Sequence, residues 1–246
     1  VSLDVQSVVI LKYLALLQAA GNVVVSSGNH DLTGPDAQGE QAALWLAEAR
    51  AAGVPTDGGS LRVGDTLVTI CPWWDGPLGR AAMEAQLARD AAQRPARWVW
   101  VYHWPPLGSP TCWTGRRHYG DADIGGWIAT YRPDIVLTGH VHEPPFKPDG
   151  AWADRIGDTW VFNAGRQIGP VPGALKHAEH AVLVDRDDCD PDLAAYLAGR
   201  GIAQALVAPV RGETRLAGVM VLGDRIGATP SFTDEGLRAA ITSRER

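Results

Sequence analysis

Cysteine is scarce in this 246-residue chain. There are three, Cys71, Cys112 and Cys189, far apart and with no Cys-x-x-Cys spacing. That speaks against a disulfide framework and fits a reducing compartment. Long apolar runs are also missing. The stretch Val8 to Ala20 contains Lys12, Tyr13 and Gln18 and is too short to cross a bilayer. It lacks a basic leader and a cleavage site, so it does not read as a signal peptide. A basic excess is absent as well: 22 Lys and Arg stand against 28 Asp and Glu, a net charge of −6. A broad polyanion-binding face is therefore not expected, nor is nucleic acid as a partner. The expectation is a cytoplasmic protein with no membrane partner.

What is present suits a folded domain. Hydrophobic residues make up 46% and charged residues 20%, and the length allows one good core or one domain and part of another. Ten tryptophans is a high count, and most fall near expected elements, where they serve core or rim packing. Helical spacing over Val8 to Ala20 puts Leu11, Leu14 and Leu17 on one face, with Gly21-Asn22 as a stop. A second amphipathic helix is expected over Glu40 to Ala52 and an alanine-rich one over Arg80 to Gln93. A hairpin is expected from Leu61–Val63 and Leu67–Cys71 around Gly64-Asp65, and a helix over Ala122 to Tyr131. Strands are expected over Val23–Ser26, Trp98–Tyr102, Ile135–Thr138 and Trp160–Asn163. Strands alternating with helices point to a layered α/β architecture.

Three polar clusters stand where apolar runs end. Gly28-Asn29-His30-Asp31 follows Val23-Val24-Val25, His103 follows Trp98 to Tyr102, and Gly139-His140-Val141-His142 follows Asp134 to Thr138. Each run reads as a buried parallel strand, and open α/β sheets bind ligands outside the carboxyl ends of their strands. His140 and His142 are two apart, which in extended backbone puts both rings on one side. An Asn and several His gathered at one sheet edge look like a metal site with a proton donor. Taken singly, each has a plainer reading: a turn or cap at Asn29-His30-Asp31, a strand-end residue at His103, hydrogen-bonded loop residues at His140 and His142.

Together, in this order, the three clusters resemble the calcineurin-like metallophosphoesterases, whose motifs GNH(D/E), a lone strand-end His and GHxH appear here as GNHD, YHWPP and GHVH. The resemblance extends to Val161-Phe162-Asn163-Ala164-Gly165. It implies that Asn29, His103 and His140 bind one metal and His142 a second. His30 would donate a proton to the leaving alkoxide, and Asp31 would orient the site. Such donors suit Mn, Fe or Zn, and the complete family site is dinuclear. Two earlier family motifs, DxH and GDxx(D/E), do not appear intact. The chain begins at Val1, and the stretch before Gly28 is too short for the DxH strand. A fold lacking its first strand or strands is therefore expected, with an exposed sheet edge or apolar face, weak metal binding and little hydrolysis by these residues alone. Asp4 stands near where the bridging carboxylate of GDxx(D/E) would lie and is a candidate ligand, with a solvated N-terminal Asp as the alternative. His118, Asp121, Arg116 and Arg117 form a candidate substrate-side lip, with a solvated loop as the alternative.

After Pro170-Val171-Pro172-Gly173 the character changes. Strands are expected at 181–184, Gln204–Pro209 and Leu216–Leu222, a capped helix over Asp190–Gly199, and a last helix opening at Ser231-Phe232-Thr233-Asp234-Glu235. His177 and His180 read as surface residues. The pieces ALVAPVRGETRLAGVMVLG and SFTDEGLRAA resemble the C-terminal half of a GAF domain. GAF domains bind small molecules or sense light and often dimerise, so a dimer through this segment is one outcome that the resemblance allows. The expected fold is α/β, a layered metallophosphoesterase sandwich over 1–172, followed by a small α+β GAF-like segment over 173–246. The expected function is metal-dependent hydrolysis of phosphomonoesters or phosphodiesters, on a small-molecule or macromolecular substrate. An inactive remnant, or a GAF-type sensory module, are the alternatives.

Overall fold

A computed structural model describes residues 3–74, 76–93, 95–166, 180–211 and 216–223. The chain divides into two compact units, 1–167 and 168–246. Among the described residues no helix is long and apolar enough to cross a membrane, and Cys71, Cys112 and Cys189 are free thiols.

In chain order the first unit contains α1 (Leu3–Ala20), β1 (Gly34–Pro35), β2 (Gln41–Ala42), α2 (Leu46–Ala51), β3 (Ser60–Val63), β4 (Thr66–Ile70), α3 (Pro77–Ala91), β5 (Arg97–Val101), α4 (Ile124–Tyr131), β6 (Ile135–Thr138), β7 (Ala153–Ile156) and β8 (Thr159–Asn163). Six of the strands form one sheet in the order β3-β4-β5-β6-β8-β7. Its four central strands are parallel, and β3 and β7 flank them antiparallel. The α/β reading holds.

Alternation along β5 shows how the core is made. Trp98 and Trp100 are buried, while Val99 and Val101 on the opposite face are only half-buried. The buried face meets Met83 and Leu87 of α3 and Ile124, Trp127 and Ile128 of α4, joined by Leu67, Val136 and Val161 from the neighbouring strands. One polar network lies inside this layer. The fully buried Asp90 carboxylate accepts from Thr69 Oγ1 at 2.7 Å and from the Ser60 hydroxyl, and Trp98 Nε1–H donates to Thr69 Oγ1 at 2.8 Å. On the other face Leu137 (42% exposed) and Trp160 (38%) stay open to solvent, and Phe162 stacks between Trp152 and Trp160.

The structure corrects several local readings. Val23–Ser26 is not a strand. Val25 N–H does reach Pro55 O at 3.0 Å, but no ladder forms, so a β-branched run found no edge to join. The expected helix over Glu40–Ala52 shrinks to α2, because Gln41-Ala42 pairs with Gly34-Pro35 and Glu40 serves elsewhere. Helix α1 starts earlier than expected and buries Leu14 against Trp45, Leu46, Ala49 and Val54, while Leu17 is exposed. Strand β7 was not expected.

In the second unit β9 (Val182–Asp185), α5 (Pro191–Ala198), β10 (Gln204–Arg211) and β11 (Leu216–Gly223) build an antiparallel sheet in the order β11-β10-β9. Asp190 caps α5, its carboxylate accepting the N–H groups of Asp192 and Leu193. Leu193 and Leu197 pack on Ala205 and Val207. His180 is exposed. His177 and the helix expected from Ser231 lie outside the described residues.

Thr69→Val keeps the shape of the side chain but strands the Trp98 indole N–H and removes a donor from Asp90. It should lower the unfolding free energy by about 1–3 kcal/mol, as read by urea titration.

Candidate metal centre

The parallel ladder places the site. Val101 of β5 pairs with Leu137 of β6, and the register continues past both strands: Tyr102 N–H donates to Leu137 O at 2.9 Å, and Gly139 N–H to His103 O at 3.0 Å. His103 and His140 therefore leave neighbouring strands side by side. On the other flank of β5, Cys71 N–H donates to Val101 O at 2.9 Å, so Trp73 emerges next to His103.

The GNHD segment reaches this edge as a loop. Ser26 Oγ donates to Cys71 O at 2.9 Å. Asp57 then accepts from the Ser27 N–H at 2.8 Å and from the Ser27 hydroxyl. Asp31 Oδ2 accepts the Gly28 N–H at 2.8 Å, while Asp31 N–H returns to Gly28 O at 3.0 Å, so the turn closes on itself. Glycine at position 28 lets the His103 ring approach closely: a Cβ would lie 2.6 Å from the imidazole.

On the far side, His140 sits at φ 61° with Val141 N–H donating to Gly139 O at 2.6 Å, a tight and strained γ-turn. Asn163, fully buried at the end of β8, holds that loop. Its Nδ2 donates to Val141 O and Thr111 O, both at 2.8 Å, and its Oδ1 accepts Gly165 N–H at 2.9 Å.

Three donor atoms converge as a result. Asn29 Oδ1 lies 3.1 Å from His103 Nε2 and 3.0 Å from His140 Nδ1, and those two nitrogens are 3.1 Å apart. The triangle is nearly equilateral. Ligands at right angles around an ion about 2.1 Å away are separated by about 3 Å, so the spacing fits one face of a coordination shell. Among the described residues no three His, Cys, Asp or Glu side chains form a metal-holding group; the triangle depends on the Asn amide as its third donor.

Electrostatics suits the same use. Burial lowers the His103 pKa, with nearby His30 and His142 adding to the effect. Burial also brings His140 down to about 4, with His103, His142 and His30 contributing. Both imidazoles are therefore neutral at neutral pH and offer lone pairs. Around His140 pack Trp73, Trp104 and Tyr119, with ring centroids 5.5, 5.3 and 5.4 Å away, and its Nε2 is buried with no hydrogen-bond partner among the described residues.

The remaining candidates separate. His30 is exposed beside Asn29, and His142 is half-buried on the His140 loop. Asp4 lies in the first turn of α1, and its side chain is outside the described part. The lip is corrected in part. Asp121 is buried and accepts from the Tyr102 hydroxyl, and His118 Nδ1 turns to Ser109 O and Cys112 Sγ, so both are structural. Arg117 stacks over Tyr119 at 5.3 Å, and Arg116 is exposed. Asp57, Asn163 and Trp73 escaped the sequence reading, since each acts across the fold on a motif remote in sequence.

The fold and site together define a layered α/β protein with metal-type donors at the carboxyl edge of its sheet. Residues 4–144 match the calcineurin-like phosphoesterase family, and residues 99–241 match the GAF domain. The first match spans more than half of the chain, which therefore belongs to the calcineurin-like phosphoesterases, with a GAF domain following. The two matches overlap over 99–144, and there the structure carries β5, α4 and β6 of the phosphoesterase sheet. No curated protein matches the chain. One crystal structure is 18% identical, with a TM-score of 0.44, covering 67% of this chain and 67% of its own. The crystal structure of TT1561 of Thermus thermophilus is 15% identical, with a TM-score of 0.44, covering 65% of this chain and 70% of its own.

Two outcomes follow for the site's framework. Burial raises the Asp57 pKa from 3.8 to about 6, against the lowering effect of its bonds to Ser27. The native state thus binds this proton more tightly than the unfolded chain, and stability falls as pH rises from about 4 through about 6. Asp57→Asn removes that titration and keeps an acceptor for Ser27 N–H. Relative to wild type it should gain on the order of 2 kcal/mol between about pH 4 and pH 7, measured by chemical unfolding at both values. Gly28→Ala should push the His103 ring aside and cost about 1–3 kcal/mol, with a shifted His103 imidazole signal in NMR spectra.

Proposed function

We propose that the first unit is a divalent-metal phosphoesterase acting on phosphomonoesters or phosphodiesters. The observation that carries this is the donor triangle of Asn29, His103 and His140 at the sheet edge. These three would hold one ion, of the Mn, Fe or Zn kind. His142 would serve a second, with Asp4 as its candidate bridging carboxylate. When bound, the metal supplies Lewis-acid polarisation of the phosphoryl group and a nucleophile at neutral pH.

The chain's own residues do the rest. Asn163 and the γ-turn hold His140 in place, and Gly28 admits the His103 ring to the triangle. His30 stands at the solvent side, next to Asn29, where its imidazole N–H can be given to the leaving oxygen. The triangle is entirely neutral, which has a direct consequence for binding. No carboxylate in it offsets a dication, so the ion's charge remains for an anionic phosphate.

The same neutrality favours a second reading, an ion-binding remnant without turnover. Hydrolysis of bis(p-nitrophenyl) phosphate and p-nitrophenyl phosphate with added Mn separates the two. In the enzyme reading, His30→Ala lowers kcat by about 10²–10⁴-fold and leaves metal content unchanged.

Mn(II) binding followed by calorimetry should be weak alone and at least about tenfold tighter with phosphate present, a gain of roughly 1.4 kcal/mol. The double variant His103→Ala, His140→Ala should bind no Mn. Equal binding in that variant would remove the assignment.

A further inference from the structure

We propose that a cleft beside the donor triangle takes a planar, uncharged group of the substrate, an aryl ring or a nucleobase joined to the phosphate, with Trp73 as the specificity-determining residue. This rests on the phosphoesterase reading of the same site. The cleft has a volume of about 320 Å³, at the small end of ligand-binding cavities. Trp73 borders both places. It lines the cleft, and its ring lies 5.5 Å from the imidazoles of both His103 and His140. Ser27, two residues before Asn29, lines the cleft as well. A phosphate at the triangle would thus have the cleft as its immediate neighbour.

The walls state what fits. Pro72, Trp74 and Leu46 supply apolar surface, and Leu44 stands 49% exposed among the lining residues. Three carboxylates and one guanidinium, that of Arg50, also border the cleft, and each is already committed to the protein; Arg50 Nη2 donates to Asp57 O at 3.2 Å. Asp36 accepts the N–H groups of Gln38 and Glu40 at 2.9 and 3.0 Å. Glu40 reaches across to the start of α3 and accepts from Leu78 and Gly79 N–H at 2.9 and 2.8 Å. That clamp requires glycine at position 76, where a Cβ would run into Glu40 Oε1. Asp57 is held by Ser27. Three carboxylates against the single Arg50 leave the cleft unfavourable to an anion, so the phosphate belongs at the triangle and an uncharged group belongs against the tryptophan. An alkyl headgroup such as glycerol would leave the aromatic surface unused, whereas a flat ring would cover it.

The test uses the full chain with Mn and two ligand pairs that share a phosphorus group. Phenylphosphonate is compared with methylphosphonate, and AMP with ribose 5-phosphate, by calorimetry. The first pair reports a bare aryl ring and the second a nucleobase. At least one flat-ring member should bind about five- to a hundredfold tighter than its partner, the range of aromatic stacking. Trp73→Ala should bring the pair within about twofold, and Trp73→Phe should retain most of the preference. Because Trp73 also packs on the histidines, Ala47→Trp offers an independent check. Ala47 lines the cleft and makes none of the ring contacts with the histidines, so filling the cleft there should abolish the preference while Mn affinity persists. Equal binding within both pairs in wild type, or a preference that survives Ala47→Trp, would overturn the proposal. Failure of wild type to bind Mn overturns the metal reading instead. The ring preference is then decided on metal-free protein by quenching of tryptophan fluorescence, with the same two variants.

Discussion

One hydrogen bond beyond the ends of two strands organises the site. Gly139 N–H donates to His103 O, extending the parallel pairing of β5 and β6 by one more step. Parallel register gives neighbouring strands the same direction and the same exit edge. Two imidazoles that are 37 residues apart in sequence thereby come within 3.1 Å of each other. Slip the register by one residue and the faces of β6 exchange, carrying His140 away from His103. What fixes the register is the buried face: Trp98 and Trp100 seat against α3 and α4, with Val136 and Val161 continuing the same layer. Metal-type geometry at the rim is thus a consequence of core packing several residues away.

The loop that brings Asn29 shows a different solution. It has no strand to hold it, and its position comes from polar contacts: Ser26 to Cys71, Ser27 to Asp57, and the closed turn between Gly28 and Asp31. Asp57 is the costly member, since a carboxylate kept mostly from water resists ionisation. Polar anchoring of this kind is directional, and direction is what the Asn29 amide oxygen needs to complete a triangle with two rings carried by the sheet.

How much of this was legible in sequence depends on the range of the interaction. The strands β5 and β6 were readable because Trp98–Val101 and Ile135–Thr138 are short apolar runs that carry their own signal, and the polar residues after them fell where expected. Val23–Ser26 carries the same local signal but is not a strand, since strand formation also needs a partner edge, and among the described residues the run finds one backbone acceptor, Pro55 O. Glu40 read as the start of a helix because its neighbours are helix formers, yet it caps α3, 38 residues on. Asp57, Asn163 and Trp73 had no local signal at all. Their roles exist only once β4, β5, β6 and β8 lie side by side. Asp121 shows the opposite failure, a polar loop residue that looked free and is bound to Tyr102 in the core.

The aromatic cluster links the two scales. Trp73, Trp104 and Tyr119 pack around His140, and burial, with the neighbouring histidines His103, His142 and His30, keeps its ring neutral. A neutral imidazole is what an ion requires, and a site of three neutral donors is what leaves an ion able to attract phosphate. The rings that dry the histidine extend, through Trp73, into a cleft walled by apolar side chains. Desolvation of the ligand and recognition of a flat substrate group are then two effects of one tryptophan. The two effects are separable in principle, because Leu44 and Ala47 also line the cleft and are not among the rings packed on His140.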